Sequence, residues 1–188
     1  LAWEMNGEPV SLAHGGPLRL IVPGYQGVNN IKYIKQLAFT AKESEAHIMS
    51  HGYRISPPGS KGDPSQPSVQ EMSVKSWINS PIPEDGDQAA GKVQIQGVAF
   101  GGMHAVKGVE VSIDGGKTWK QARLVGPDMG KYAWRQFVLQ AELPKGTYQL
   151  ASRATDVKGN VQPETRGENQ SGYNNTSWAD HAVTVTVA

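Results

Sequence analysis

The sequence predicts a mainly β protein in two parts, and three observations predict it. Glycine and proline are frequent, 22 and 12 of 188 residues, so turns are many. Beyond residue 90, apolar and polar residues alternate at the period of a half-buried strand, as in Val109-Glu110-Val111-Ser112-Ile113. A stretch rich in proline and glycine, Ser56 to Pro67, separates that region from the first third of the chain.

Taken in order, residues 18–22 (Leu-Arg-Leu-Ile-Val) form a strand candidate ended by Pro23-Gly24. Residues 29–39 carry Ile31, Ile34 and Leu37 at a spacing that suits either a helix or a strand. Ser56–Pro67 can hold neither a ladder nor a helix, because proline removes donors and glycine adds backbone freedom. It is read as an exposed connection and sets the expected boundary between residues 1–65 and 66–188.

Strands are then expected at 93–99 and 109–113, with a hairpin turn at Asp114-Gly115-Gly116-Lys117 and a returning strand through Trp119, Arg123 and Leu124. Further strands are expected at 133–140, 147–155 and 181–187. Several short strands over about 120 residues suggest an immunoglobulin-like β-sandwich, with Trp119 and Trp134 in its core. The chain has no cysteine, so the sandwich is a disulfide-free one.

Composition narrows the chemistry. A net charge of +1 argues against nucleic-acid and membrane-surface partners, which need a concentrated positive field. No run of about 18 apolar residues suggests a membrane span. Zero cysteines exclude a thiolate metal site or nucleophile within this chain. The opening Leu1-Ala2-Trp3-Glu4-Met5-Asn6 has neither a signal peptide nor an initiating methionine, so the chain is expected to begin inside a longer protein or after processing.

The first third places His14, Arg19 and Lys32 beside the glycine-rich segments His14-Gly15-Gly16 and Val22-Pro23-Gly24. On residue types alone two readings stay open: a loop with solvated cations, or a cradle for an anionic group such as a phosphate. His47 and His51 stand four apart, but no third metal ligand follows at a familiar spacing. Three Asn-x-Ser/Thr triplets, at Asn169, Asn174 and Asn175, are of the kind that arises by chance.

Longer blocks are more specific. Leu1-Ala2-Trp3-Glu4-Met5-Asn6-Gly7-Glu8-Pro9, His14-Gly15-x-Pro17-x-Arg19, Val22-Pro23-Gly24 and Lys32-Tyr33 resemble the end of the molybdopterin domain of the sulfite oxidase family. The resemblance continues through Gly52-Tyr53, Val109–Trp119 and Asn160-Val161-Gln162-Pro163, and so covers essentially the whole chain. It implies the C-terminal part of an α+β molybdopterin-binding domain followed by an Ig-like dimerisation domain. It also implies a molybdenum–molybdopterin cofactor and oxidation of sulfite, with electrons passed to a cytochrome c. A homodimer and the bacterial periplasm are the expected assembly and compartment. His14, Arg19, Asn30, Ile31 and Lys32 are the cofactor contacts it implies, with Arg19 and Lys32 on the phosphate. Tyr53 aligns with the family's active-site tyrosine.

Two departures stand out. The family's cysteine metal ligand is absent, so this chain alone is expected to be inactive. The position of a substrate-binding arginine is taken by Ser171. The expected alternatives are a related molybdenum enzyme acting on another sulfur compound or on nitrate, or a stand-alone Ig-like interaction module in which residues 1–58 are disordered.

Overall fold

A computed structural model describes every residue, Leu1–Ala188. The chain forms two compact units. The first comprises Leu1–Met72 with Glu168–Tyr173, the second Ser73–Gly167 with Asn174–Ala188. Neither contains an α-helix.

The second unit is built from seven antiparallel strands: β3 (Lys75–Ser80), β4 (Gly91–Phe100), β5 (Val106–Ser112), β6 (Lys120–Val125), β7 (Arg135–Leu143), β8 (Gly146–Asp156) and β9 (Val183–Val187). Their order is β3-β4-β7-β6-β5-β8-β9. The alternation seen in the sequence sets which side chains turn inward. Val93 and Ile95 of β4 are buried while Lys92, Gln94 and Gln96 face out, and Phe137, Ala141 and Leu143 of β7 do the same. These residues join Val109, Val111, Leu150, Ala154, Val185 and Val187 in one core. Fully burying side chains such as Ile95, Phe137 or Leu150 stabilises by about 1.5–3 kcal/mol each. The strands expected from alternation are present as an Ig-like sandwich. β3 went unpredicted, because its inward residues Ser76 and Ile78 are too mixed in polarity to register as an apolar period.

The Asp114–Lys117 turn joins β5 to β6 as expected. Gly116 has φ +91°, and a Cβ there would lie 2.3 Å from the Trp178 indole, so only glycine fits. Asp114 fixes the turn by accepting from the Thr118 N–H at 2.9 Å and from the Ser112 hydroxyl at 2.7 Å. The tryptophans are not core residues as expected. Trp134 is 49% exposed and packs edge-on against Trp77. Trp119 packs edge-on against Trp178, with the Arg153 guanidinium 4.3 Å from its ring centre.

The first unit is organised differently. Its only regular pairing is the two-residue ladder of β1 (Glu4–Met5) and β2 (Glu8–Pro9). Among residues 1–72 only Val10 and Val69 are buried apolar side chains. Hydrogen bonds between loops hold the rest. Residues 18–22 form a single bridge, Ala2↔Arg19, rather than a strand. Residues 29–39 are neither helix nor strand after the short turn Gly27–Asn29. The Ser56–Pro67 segment is mostly exposed but tied down, with Ser56 buried and its hydroxyl donating to Gln66 Oε1 at 2.7 Å.

Candidate cofactor-binding turn and oxyanion residues

The 3-10 turn Leu12–His14 organises the cationic residues. Ser11 Oγ lies 2.8 Å from His14 Nδ1, which orients the imidazole. Arg19 donates through Nη1 to the His14 carbonyl at 2.7 Å, and Lys32 donates through Nζ to the Ala13 carbonyl at 3.0 Å. Two cations from segments 13 residues apart in sequence therefore meet at one turn. The backbone explains why: the Leu20 N–H bonds the Ile31 carbonyl at 2.8 Å, and the Tyr33 N–H bonds the Gly15 carbonyl at 3.2 Å. Each cation keeps further N–H donors, and Arg19 Nε is buried with no hydrogen-bond partner. A buried guanidinium N–H left without an acceptor is costly unless an anion completes it. These residues therefore fit a phosphate-bearing cofactor.

Asn30 and Ile31 sit beside this turn in different ways. The Asn30 carboxamide is turned inward: Oδ1 accepts the Val22 N–H at 2.8 Å, and Nδ2 donates to the carbonyls of Gln26 at 3.0 Å and Tyr25 at 3.3 Å. Its side chain holds the 22–26 loop in shape. Ile31 pairs through its carbonyl and leaves its side chain half exposed.

Tyr53 shares no hydrogen bond, ion pair or ring contact with these five residues. It follows the π-helical turn Ile48–Gly52, and its ring lies 5.6 Å from that of Tyr173. Its N–H bonds the Ile48 carbonyl and its carbonyl accepts the Val69 N–H, so the backbone is fixed on both sides. The phenol hydroxyl has no protein partner and is free to donate. Sequence reasoning missed the residue that stabilises this stretch, the adjacent Arg54. Its side chain is 4% exposed and its guanidinium bonds the Met49 and Gln66 carbonyls and Glu43 Oε2, the last at 2.9 Å. Hydrogen bonds from Ser68 and Arg54 hold the Glu43 carboxyl below its usual range. An arginine beside the tyrosine was the only signal available in the sequence.

The chain is similar to known proteins along its whole length. Residues 66–187 match the model of the Mo-co oxidoreductase dimerisation domain, and residues 1–48 match the oxidoreductase molybdopterin binding domain. Mitochondrial sulfite oxidase of Macaca fascicularis is 38% identical over 201 residues, covering 100% of this chain and 36% of that protein. Nitrate reductase [NADH] 2 of Phaseolus vulgaris is 32% identical, covering 95% of this chain and 22% of that protein. The solved structure of the sulfane dehydrogenase SoxCD from Paracoccus pantotrophus superposes with a TM-score of 0.83 at 32% identity, covering 100% of this chain and 50% of that one. The sandwich and the segment before it are thus those of a molybdopterin-dependent oxidoreductase. Within that class the chain belongs to the sulfite oxidase family, whose cofactor is molybdenum–molybdopterin. It spans about a third of the length of the sulfite oxidase it matches.

Proposed function

We propose that the polypeptide carrying this chain oxidises sulfite with water to sulfate, releasing two electrons and two protons, the electrons passing singly to a cytochrome c. The observation that carries this reading is the Arg19–Lys32 pair on the Leu12–His14 turn, with Arg19 Nε lacking an acceptor, in a chain similar along its whole length to a sulfite oxidase. When bound, the molybdenum cofactor supplies the two-electron oxygen-atom chemistry. Arg19 and Lys32 neutralise and position its phosphate, and His14 hydrogen-bonds its pterin. Asn30 and Ile31 keep the flanking loops in register. Tyr53 donates a hydrogen bond to the reacting oxyanion, a neutral donor that adds no competing charge. The 188 residues alone lack a thiolate for the metal and are inactive by themselves.

A second reading, oxidation of another sulfur compound or reduction of nitrate, is favoured by Ser171, which stands where the resemblance places an arginine. We assign the 66–188 sandwich to a symmetric homodimer, in keeping with its match to a dimerisation domain, and the protein to the bacterial periplasm. Metal analysis of the polypeptide as its gene encodes it, with sulfite-dependent reduction of cytochrome c, tests the function. One molybdenum per chain and sulfite turnover are expected. Turnover of nitrate or of a reduced sulfur compound in place of sulfite would select the second reading.

A further inference from the structure

Asn6 is the only asparagine in the chain that is followed by glycine. Asn6 and Gly7 form the tight turn between β1 and β2, with φ 55° and φ 82°, the left-handed pair that a two-residue hairpin favours. Both residues are exposed. The Asn6 carboxamide bonds no group of the protein, and the Gly7 N–H has no backbone acceptor. A Cβ built on Gly7 would meet nothing within 4 Å, so no neighbouring segment covers the turn on that side. Every other asparagine precedes a residue whose side chain shields the next backbone nitrogen. The carboxamides of Asn30, Asn160 and Asn175 are also held by donation from Nδ2.

The hairpin anchors more than itself. Ahead of β1, the Ala2 N–H bonds the Arg19 carbonyl at 2.8 Å, and the Arg19 N–H bonds the Ala2 carbonyl at 3.0 Å. Behind β2, the Val10 N–H bonds the Trp3 carbonyl at 2.9 Å. The Val10 carbonyl oxygen lies so close to Gly16 that a Cβ there would fall 2.0 Å from it. The register Met5↔Glu8 and Glu4↔Pro9 thus sets where the backbone of Arg19 is held, and the length of the turn sets that register. With Val10 and Val69 the only buried apolar side chains among residues 1–72, little else holds the segment.

We propose that Asn6-Gly7 is a site of spontaneous deamidation whose isoaspartyl product releases the backbone anchor of Arg19. The Gly7 nitrogen loses its proton to solvent base and attacks the Asn6 Cγ. The new N–Cγ bond closes a succinimide ring, and the Cγ–Nδ2 bond breaks to release ammonia. Water then opens the ring: attack at Cγ gives aspartate, and attack at the backbone carbonyl carbon gives isoaspartate, in which the chain runs on through Cγ. Asparagine and water become an aspartyl or isoaspartyl residue and ammonia, with no oxidant or reductant. The isoaspartyl main chain is one carbon longer and carries a free carboxylate, so a two-residue turn no longer closes at Met5↔Glu8. The inference is independent of the oxidation chemistry proposed above.

Ageing of the 188-residue chain in mildly alkaline buffer, followed by trypsin digestion, tests this. Leu1–Arg19 is released as one peptide, and Asn6 is its only carboxamide. It should gain one mass unit with time and become a substrate for isoaspartyl methyltransferase, while the peptide holding Asn79-Ser80 changes far more slowly. Hydrogen exchange at the Arg19 N–H, followed by NMR, should quicken about tenfold or more in the aged chain relative to the fresh one. Asn6→Gly, whose Gly-Gly turn suits the hairpin and has no carboxamide to react, should exchange at the same rate before and after ageing. No mass gain over a period in which the synthetic Leu1–Arg19 peptide converts fully overturns the site. A converted chain whose Arg19 N–H stays as protected as in the fresh one overturns the release of the anchor.

Discussion

Gln162 holds Ser76 by both ends of its side-chain amide: Oε1 accepts the Ser76 N–H at 2.8 Å, and Nε2 donates to the Ser76 carbonyl at 3.1 Å. Oε1 also accepts the Ser76 hydroxyl at 2.8 Å and the Ala154 N–H at 3.2 Å. Gln162 is 1% exposed and Ser76 fully buried. The amide therefore acts as one peptide unit of an eighth strand, linking edge strand β3 to β8. Gln162→Leu fills similar space but leaves the Ser76 N–H and C=O without partners in the interior. A loss of about 3 kcal/mol is expected, read as a lower urea midpoint with unchanged slope. A midpoint equal to that of the parent chain would show that water replaces the amide at no cost.

Asp114 gives the hairpin an acid dependence. Hydrogen bonds from the Thr118 hydroxyl and N–H, and from the Ser112 hydroxyl, hold its carboxyl well below the usual carboxylate range. A depressed folded pKa means that the unfolded state takes up the proton first. Its stabilising contribution is complete above the unfolded value of about 4 and is lost as pH falls through the folded one. Unfolding midpoints measured between about pH 5 and pH 2 should fall less steeply in Asp114→Asn than in the parent. Parallel curves would remove Asp114 from the acid response.

Arg19→Ala removes a cation whose proposed work is retention of the cofactor phosphate. Molybdopterin occupancy of the purified enzyme should drop, while turnover per bound molybdenum changes much less. Full occupancy in the variant would contradict the phosphate role.

Tyr53→Phe removes one hydroxyl that has no protein partner, so folding and metal content should be preserved. Turnover should fall by up to about 100-fold, the equivalent of about 3 kcal/mol for a well-placed donor to a developing oxyanion. Unchanged kinetics would mean that the hydroxyl takes no part.

The dimer assignment is tested by light scattering. A mass of about twice the 20.2 kDa of the chain is expected at working concentration. A monomer mass that persists at high concentration would take the assembly role away from this sandwich.

What the sequence determined by itself is local or cumulative. Strict alternation decides which face of β4, β7 and β9 is apolar, because successive side chains point to opposite sides of a strand. Asp114-Gly115-Gly116 specifies its turn because positive φ favours glycine. The long blocks from Leu1 to Lys32 were enough to indicate the family. What only the tertiary structure decided depends on which distant segments meet. Nothing local shows that Gln162 closes the sheet at Ser76, or that Asn30 turns inward while Arg19 and Lys32 share one turn. A side chain's partners are set by long-range backbone pairing, and its own sequence neighbourhood carries only its polarity and period.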